Sequence, residues 1–236
     1  MFAGHYGPGY GARAVGQRVP LWVLFLAVQF LDVLWGVFVL LGIEKVRIVP
    51  GITATNPLDL YYMPYTHSLA GALFWSLVAG LIYGGWRRGR AASGRGAWVV
   101  GGAVFSHWVL DLLVHRPDLP LWANRFKVGL GLWNYPVPAF ALEALFLFGG
   151  LWIYLRATRA PDAGGAAGFI VLSLLLLGLQ LMTFFGSPPP TPAAAAITAL
   201  GSYAAIATAA GWLDARRNHP ARDAGSGARS TKEVGV

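Results

Sequence analysis

The chain has 236 residues, of which 56% are hydrophobic and only 12% charged; soluble domains carry about twice that charged fraction. It has no cysteine, which excludes disulfides and thiolate metal sites. A net charge of +8 would point a soluble protein toward nucleic acid, but here most basic residues sit between long apolar runs and in the tail. Membrane topology accounts for them there, and nucleic acid is not an expected partner.

In chain order, residues 1–18 are Gly-rich with no cleavable signal apparent. They read either as a disordered cytoplasmic tail or as a short, weak helix inserted in the membrane, where small residues allow close packing. Six runs are long and apolar enough to cross a bilayer: 20–43, 65–85, 97–115, 137–156, 166–186 and 192–213. "SPPPTP" at 187–192 is a tight break between the last two. The expected fold is all-α, a polytopic integral membrane helical bundle. It has six long transmembrane helices and a short N-terminal membrane-inserted helix, in one domain over 1–214. Residues 215–236 read as a polar, disordered tail. Trp22, Trp86, Trp98, Trp122 and Trp212 fall near span ends, as an interfacial aromatic belt does.

Arg87, Arg88, Arg90, Arg95, Arg156, Arg159 and the tail arginines fall on one side of these spans, with Arg13 and Arg18. Lys45, Arg47, Arg116, Arg125 and Lys127 fall on the other. The positive-inside rule places the C-terminus in the cytoplasm and the connections 44–64 and 116–136 outside.

An ionisable group at the bilayer centre costs about 2.5–3.5 kcal/mol even on the lenient insertion scale, so such groups are functional candidates. At ~1.5 Å per residue, Asp32, His67, His107, Asp111 and Glu143 all fall at mid-membrane or in the outer half. If residues 1–18 insert, His5 reaches the same depth. "SHWVLDLLVHRPD" (106–118) spaces His107, Asp111 and His115 four apart, on one slowly turning stripe of a helix. His107 and Asp111 can point at one atom; His115 is turned about 80° away and reads more as part of a helix-end salt-bridge cluster with Arg116 and Asp118. Asp59 follows Asn56 and Pro57, the pattern of a helix start with an acidic first turn. It is kept with His115 as an additional site candidate. Imidazole plus carboxylate without thiolate suits a divalent transition metal, zinc first among them.

These residues also carry a resemblance. Gly4-His5, Asp32, Thr66-His67-Ser68 and "SHWVLD" (106–111) resemble the membrane-bound metal-dependent hydrolase family, also described as LexA-binding, inner-membrane-associated hydrolases. The likeness covers residues 1–120. Two departures stand out: "FLDVLW" replaces an Asp-x-Asp-His cluster, and "MPY" replaces a His-Arg-Gly before Thr-His-Ser. "KVGLGLWN" (127–134) followed by Glu143 looks like a branch-specific feature. The resemblance implies a metal site from His5, Asp32, His67, His107 and Asp111, in a bacterial inner membrane protein. The expected activity is metal-dependent hydrolysis of a lipid or lipid-linked ester or phosphoester at the outer half of the bilayer. Glu143 and Asp111 are the expected catalytic carboxylates, and Arg116, Arg125 and Lys127 are placed to steer an anionic head group. Two rivals use the same residues: a proton- or cation-coupled transporter, and a non-catalytic structural or regulatory membrane protein tied by interhelical hydrogen bonds.

Overall fold

A computed structural model of the chain describes residues 1–16, 19–87, 93–159 and 163–217. Arg18, Arg88, Arg90 and most of the expected polar tail, from 218 on, lie outside the described residues. The fold is mostly helical, as expected. Five helices are long and apolar enough to cross a membrane: α4 (Leu69–Trp86), α5 (Ser93–Val114), α6 (Pro136–Ala157), α7 (Ala163–Phe185) and α8 (Pro192–Asp214).

The expected span 20–43 is instead a broken pair, α2 (Leu21–Val28) and α3 (Phe30–Leu40), bent by 56° at Gln29. The cause is a side chain in the helix ladder. The Val28 carbonyl accepts a hydrogen bond from His107 Nδ1 at 2.7 Å.

The N-terminal segment is helical, a 3-10 turn (Ala3–His5) running into α1 (Tyr6–Val15). Pro8 sits in the first turn, where its missing N–H has no intrahelical partner to lose. The helix buries Tyr6, Gly7, Gly9, Tyr10 and Arg13. It crosses α6 at backbone distance. A Cβ on Gly7 would strike the Phe146 carbonyl, and one on Gly150 would strike the Gly7 backbone. At the far end of α1, Asp214 accepts from Arg13 Nε at 3.3 Å, from Tyr154 OH at 2.7 Å and from Leu21 N at 3.2 Å. α1 is thereby fastened at both ends inside the bundle, against α2, α6 and α8.

The connections 44–64 and 116–136 are not plain loops. Each carries an antiparallel hairpin: β1 (Lys45–Ile48) with β2 (Leu58–Tyr62), and β3 (Leu119–Trp122) with β4 (Arg125–Val128). Asp59 lies within β2, opposite Arg47, and not at a helix start. Strand pairing overrides the local Asn-Pro signal. The span expected from 65 becomes a turn over 64–68, and α4 starts only at Leu69, where Ser68 Oγ accepts from Gly71 N at 2.9 Å. Both hairpins sit at the end of the bundle that also holds His67, Asp111 and His115.

Candidate metal centre

α5 projects His107 and Asp111 inward, and Asp111 lies at the middle of the cluster. Its Oδ2 is 3.1 Å from His107 Nε2, 3.7 Å from His67 Nε2 and 3.6 Å from His115 Nε2. Its Oδ1 is 3.1 Å from His5 Nε2 and 2.5 Å from the Met1 amino nitrogen. α3 adds Asp32, whose Oδ1 is 3.3 Å from His67 Nε2 and 3.6 Å from His107 Nε2. Four segments distant in sequence thus bring four histidines and two aspartates together. All are buried except Asp32, whose side chain is 20% exposed and marks the open side.

The hydrogen bonds behind the rings fix which nitrogen faces inward. A carbonyl oxygen only accepts, so His107 Nδ1 carries the proton toward Val28 O, and in the neutral ring Nε2 keeps its lone pair. His115 Nδ1 is 2.8 Å from Asp118 Oδ1, which fixes that ring the same way. His67 Nδ1 is 2.8 Å from Thr66 Oγ1, and that hydroxyl donates its one proton to Glu44 Oε2 at 2.6 Å. The hydroxyl must therefore accept from His67, and Nε2 again faces inward bare. Three lone-pair nitrogens converge on Asp111 Oδ2 and Asp32 Oδ1, and His107 Nε2 has no hydrogen-bond partner; the donors present, the Met1 ammonium and His5 Nε2, both lie on the other oxygen, Asp111 Oδ1. The Met1 ammonium offsets one carboxylate, and the second still calls for positive charge on the side that the three imidazoles face.

The donor set fits a metal ion. His5, His107 and Asp111 form one possible ligand group, and Asp32, His67 and His107 another. Ligands about 2.0–2.1 Å from a tetrahedral metal are about 3.3 Å apart, and the separations of 3.1 to 3.7 Å here bracket that edge. One divalent ion neutralises two carboxylates. Backing of each imidazole by a carbonyl, a carboxylate or a hydroxyl–carboxylate relay is the usual second layer of a metal site.

His5 is oriented differently. Its Nε2 meets Asp111, its Nδ1 is buried without a partner, and its ring stacks on His107 with centroids 3.9 Å apart. Glu143 delivers it: Oε2 accepts from Gly4 N at 2.6 Å and Oε1 from Phe2 N at 3.2 Å. Any side chain at Gly4 would crowd Glu143, within 3.1 Å of Oε2 and 3.3 Å of its Cα. The glycine of the Gly-His pair is thus what lets His5 approach α6. Gln180 Oε1 on α7 accepts from Ala3 N at 3.2 Å. Glu143, expected as a general base, accepts these backbone N–H groups and thereby anchors the N-terminal turn.

The outer cations divide. Arg116 is held by Asp59 and by Asp118 Oδ2, the latter at 3.0 Å, so it ties β2 to the end of α5. Asp118 joins this ion pair to His115, so the expected helix-end cluster exists, yet His115 Nε2 also reaches Asp111. Trp133 packs on the His115 ring with centroids 4.2 Å apart, which gives the 127–134 stretch a role as its cover. Lys127 Nζ donates to Tyr61 O at 3.0 Å, and partial burial lowers its pKa. Arg125 has no ion-pair partner among the described residues.

Glu44 is the partner that sequence reasoning passes over. It is 1% exposed, and its carboxylate accepts from Tyr65 N, Thr66 N and Thr66 Oγ1. Its signal was faint but present: a carboxylate at the end of an apolar run, in a chain with ten acidic residues. Tyr203 OH, which donates to Asp32 Oδ2 at 2.7 Å, offered no signal. Thr66→Val removes the relay and should weaken metal binding about 10–100-fold, measured by competition with a chelating dye. Thr66→Ser should preserve it. Equal affinity in both variants would detach Glu44 from the site.

Family models, curated proteins and solved structures were compared with the chain, and none matches. The cluster's own geometry therefore carries its chemistry.

Proposed function

We propose that the protein is a membrane-embedded metal-dependent hydrolase, with zinc as its metal, acting on a lipid or lipid-linked ester or phosphoester. The observation that carries this is the convergence of three imidazole nitrogens on two carboxylates, Asp111 buried and Asp32 partly exposed. The residues behind the resemblance to membrane-bound metal-dependent hydrolases are those that meet here. The distribution of basic residues supports a cytoplasmic C-terminus in a bacterial inner membrane, with the centre in the outer half.

In this reading Asp32, His67, His107 and Asp111 would hold the ion, with His115 beside them. A bound ion would supply Lewis acidity and acidify a water toward neutral pH. Asp32, partly exposed, sits where water and substrate enter. His5 takes the proton: Asp111 Oδ1 accepts from its Nε2–H and orients the ring, which leaves Nδ1 as a free acceptor. Carboxylate-oriented imidazole is a recurrent general base.

Metal-loaded and chelator-stripped protein, in mixed micelles, should be assayed against phosphomonoester, phosphodiester and carboxylic ester substrates with short and long chains. Turnover should appear only with metal and favour chain-bearing substrates. A loaded protein inert to every ester class, yet carrying protons or cations across vesicles, would replace this reading with transport. His5→Gln should keep its metal while losing about 10²–10⁴-fold in kcat. Loss of the metal instead would return His5 to the ligand set.

A further inference from the structure

Beside the metal centre lies a groove of about 790 Å³. That volume is within the range of small-molecule sites. The end of α3 (Phe38, Ile43), the first turns of α4 (Phe74, Trp75) and the turn at Tyr65 form its walls, and the β3–β4 turn closes one side with Trp122 and Arg125. Phe74 is 57% exposed and Trp122 66%. Pro64, Tyr65 and Ser68 also line it. These bracket Thr66 and His67, so groove and metal centre share one wall. Trp75 Nε1 donates to Tyr65 O at 2.9 Å and braces that wall.

The charges around it are one-sided. Both nearby aspartates, Asp59 and Asp118, are used by Arg116, and Glu44 is used by Thr66. Arg125 remains on the groove itself, and Lys45, Arg47 and Lys127 lie on the two hairpins beside it. An apolar trough ending on Arg125, which has no ion-pair partner among the described residues, at the level where spans end and head groups begin, matches one kind of molecule.

We propose that this groove holds the chain of an anionic membrane phospholipid, with its phosphate head on Arg125 and its ester region level with His67. That the bound lipid is also a substrate rests on the hydrolase reading; its binding does not.

The test uses the full chain in vesicles of phosphatidylcholine and phosphatidylglycerol, doped with a phosphatidylglycerol bearing a diazirine in its acyl chain. After irradiation, labelled peptides are mapped by mass spectrometry. Labels should concentrate on 38–43, 65–75 and 122–125. Ala70→Trp, which fills the groove, should remove them. Arg125→Glu should lower labelling by phosphatidylglycerol at least about fivefold, as expected for a cationic contact at an anionic lipid surface. It should leave labelling by a diazirine phosphatidylcholine unchanged. Thermal melts of both variants check that they fold, and metal content is read on the same samples. Labelling spread evenly around the spans and indifferent to both variants would overturn the groove. Concentrated labelling on a chain that binds no metal would uphold the groove and sink the hydrolase.

Discussion

Replacing His107 or Asp111 with alanine should empty the centre, from about one metal ion per chain in the wild type to less than about a tenth. His107 sits between Asp111 at 3.1 Å and Asp32 at 3.6 Å, and belongs to both possible ligand groups. Asp111 touches all four histidines. Loss of His107 breaks both ligand groups, and loss of Asp111 breaks one and removes the carboxylate that all four imidazoles face. Elemental analysis after metal-replete purification reads the loss directly. Unfolding gives a second readout, because a ligand present at about a thousand times its Kd stabilises the native state by about 4 kcal/mol. A chelator should therefore lower the unfolding temperature of the wild type and not that of either variant. Wild-type protein without metal would leave a cluster of protonated imidazoles and carboxylates, and the non-catalytic reading with it.

The long apolar helices and the main members of the cluster were legible because each depends on a local rule. Spacing by four puts His107 and Asp111 on one helix face wherever that helix packs. Depth along a span brought Asp32 and His67 to the same level. What was not legible depends on contacts between distant segments. The bend at Gln29 comes from His107, 79 residues away, drawing the Val28 carbonyl out of the ladder. Glu143 looked like a base because it is a carboxylate inside a span; only the docked N-terminus shows what its oxygens accept. His115 seemed turned away by its rotation on an ideal helix. It lies just past Val114, where Asp118 and Trp133 hold its ring toward Asp111. The hairpins were missed because strand pairing at the ends of spans leaves little hydropathic trace.

The second large effect falls on a residue that touches no ligand. Gly150→Leu should cost the chain both its stability and its turnover. The Gly7 and Gly150 backbones meet where α1 crosses α6, and even a Cβ on Gly150 would run into the Gly7 carbonyl. Overpacking a tight contact costs about 1–3 kcal/mol for added methylenes. Here the obstacle is backbone, so α1 must move as a body. His5 travels with it, because the Ala3–His5 turn continues into α1 and hangs from Glu143, two turns before Gly150 on the same helix. Gly149 is the internal control. It is exposed, and nothing lies within 4 Å of a Cβ built there. Gly149→Ala should gain up to about 1 kcal/mol from helix propensity, or about 2–4 °C in a chain of this size. Gly150→Ala should lose several degrees, and Gly150→Leu should abolish the His5–Asp111 contact and the turnover that depends on it. If Gly149→Ala and Gly150→Ala melt alike, α1 does not pack on α6 at this crossing, and the route by which His5 reaches the centre is wrong.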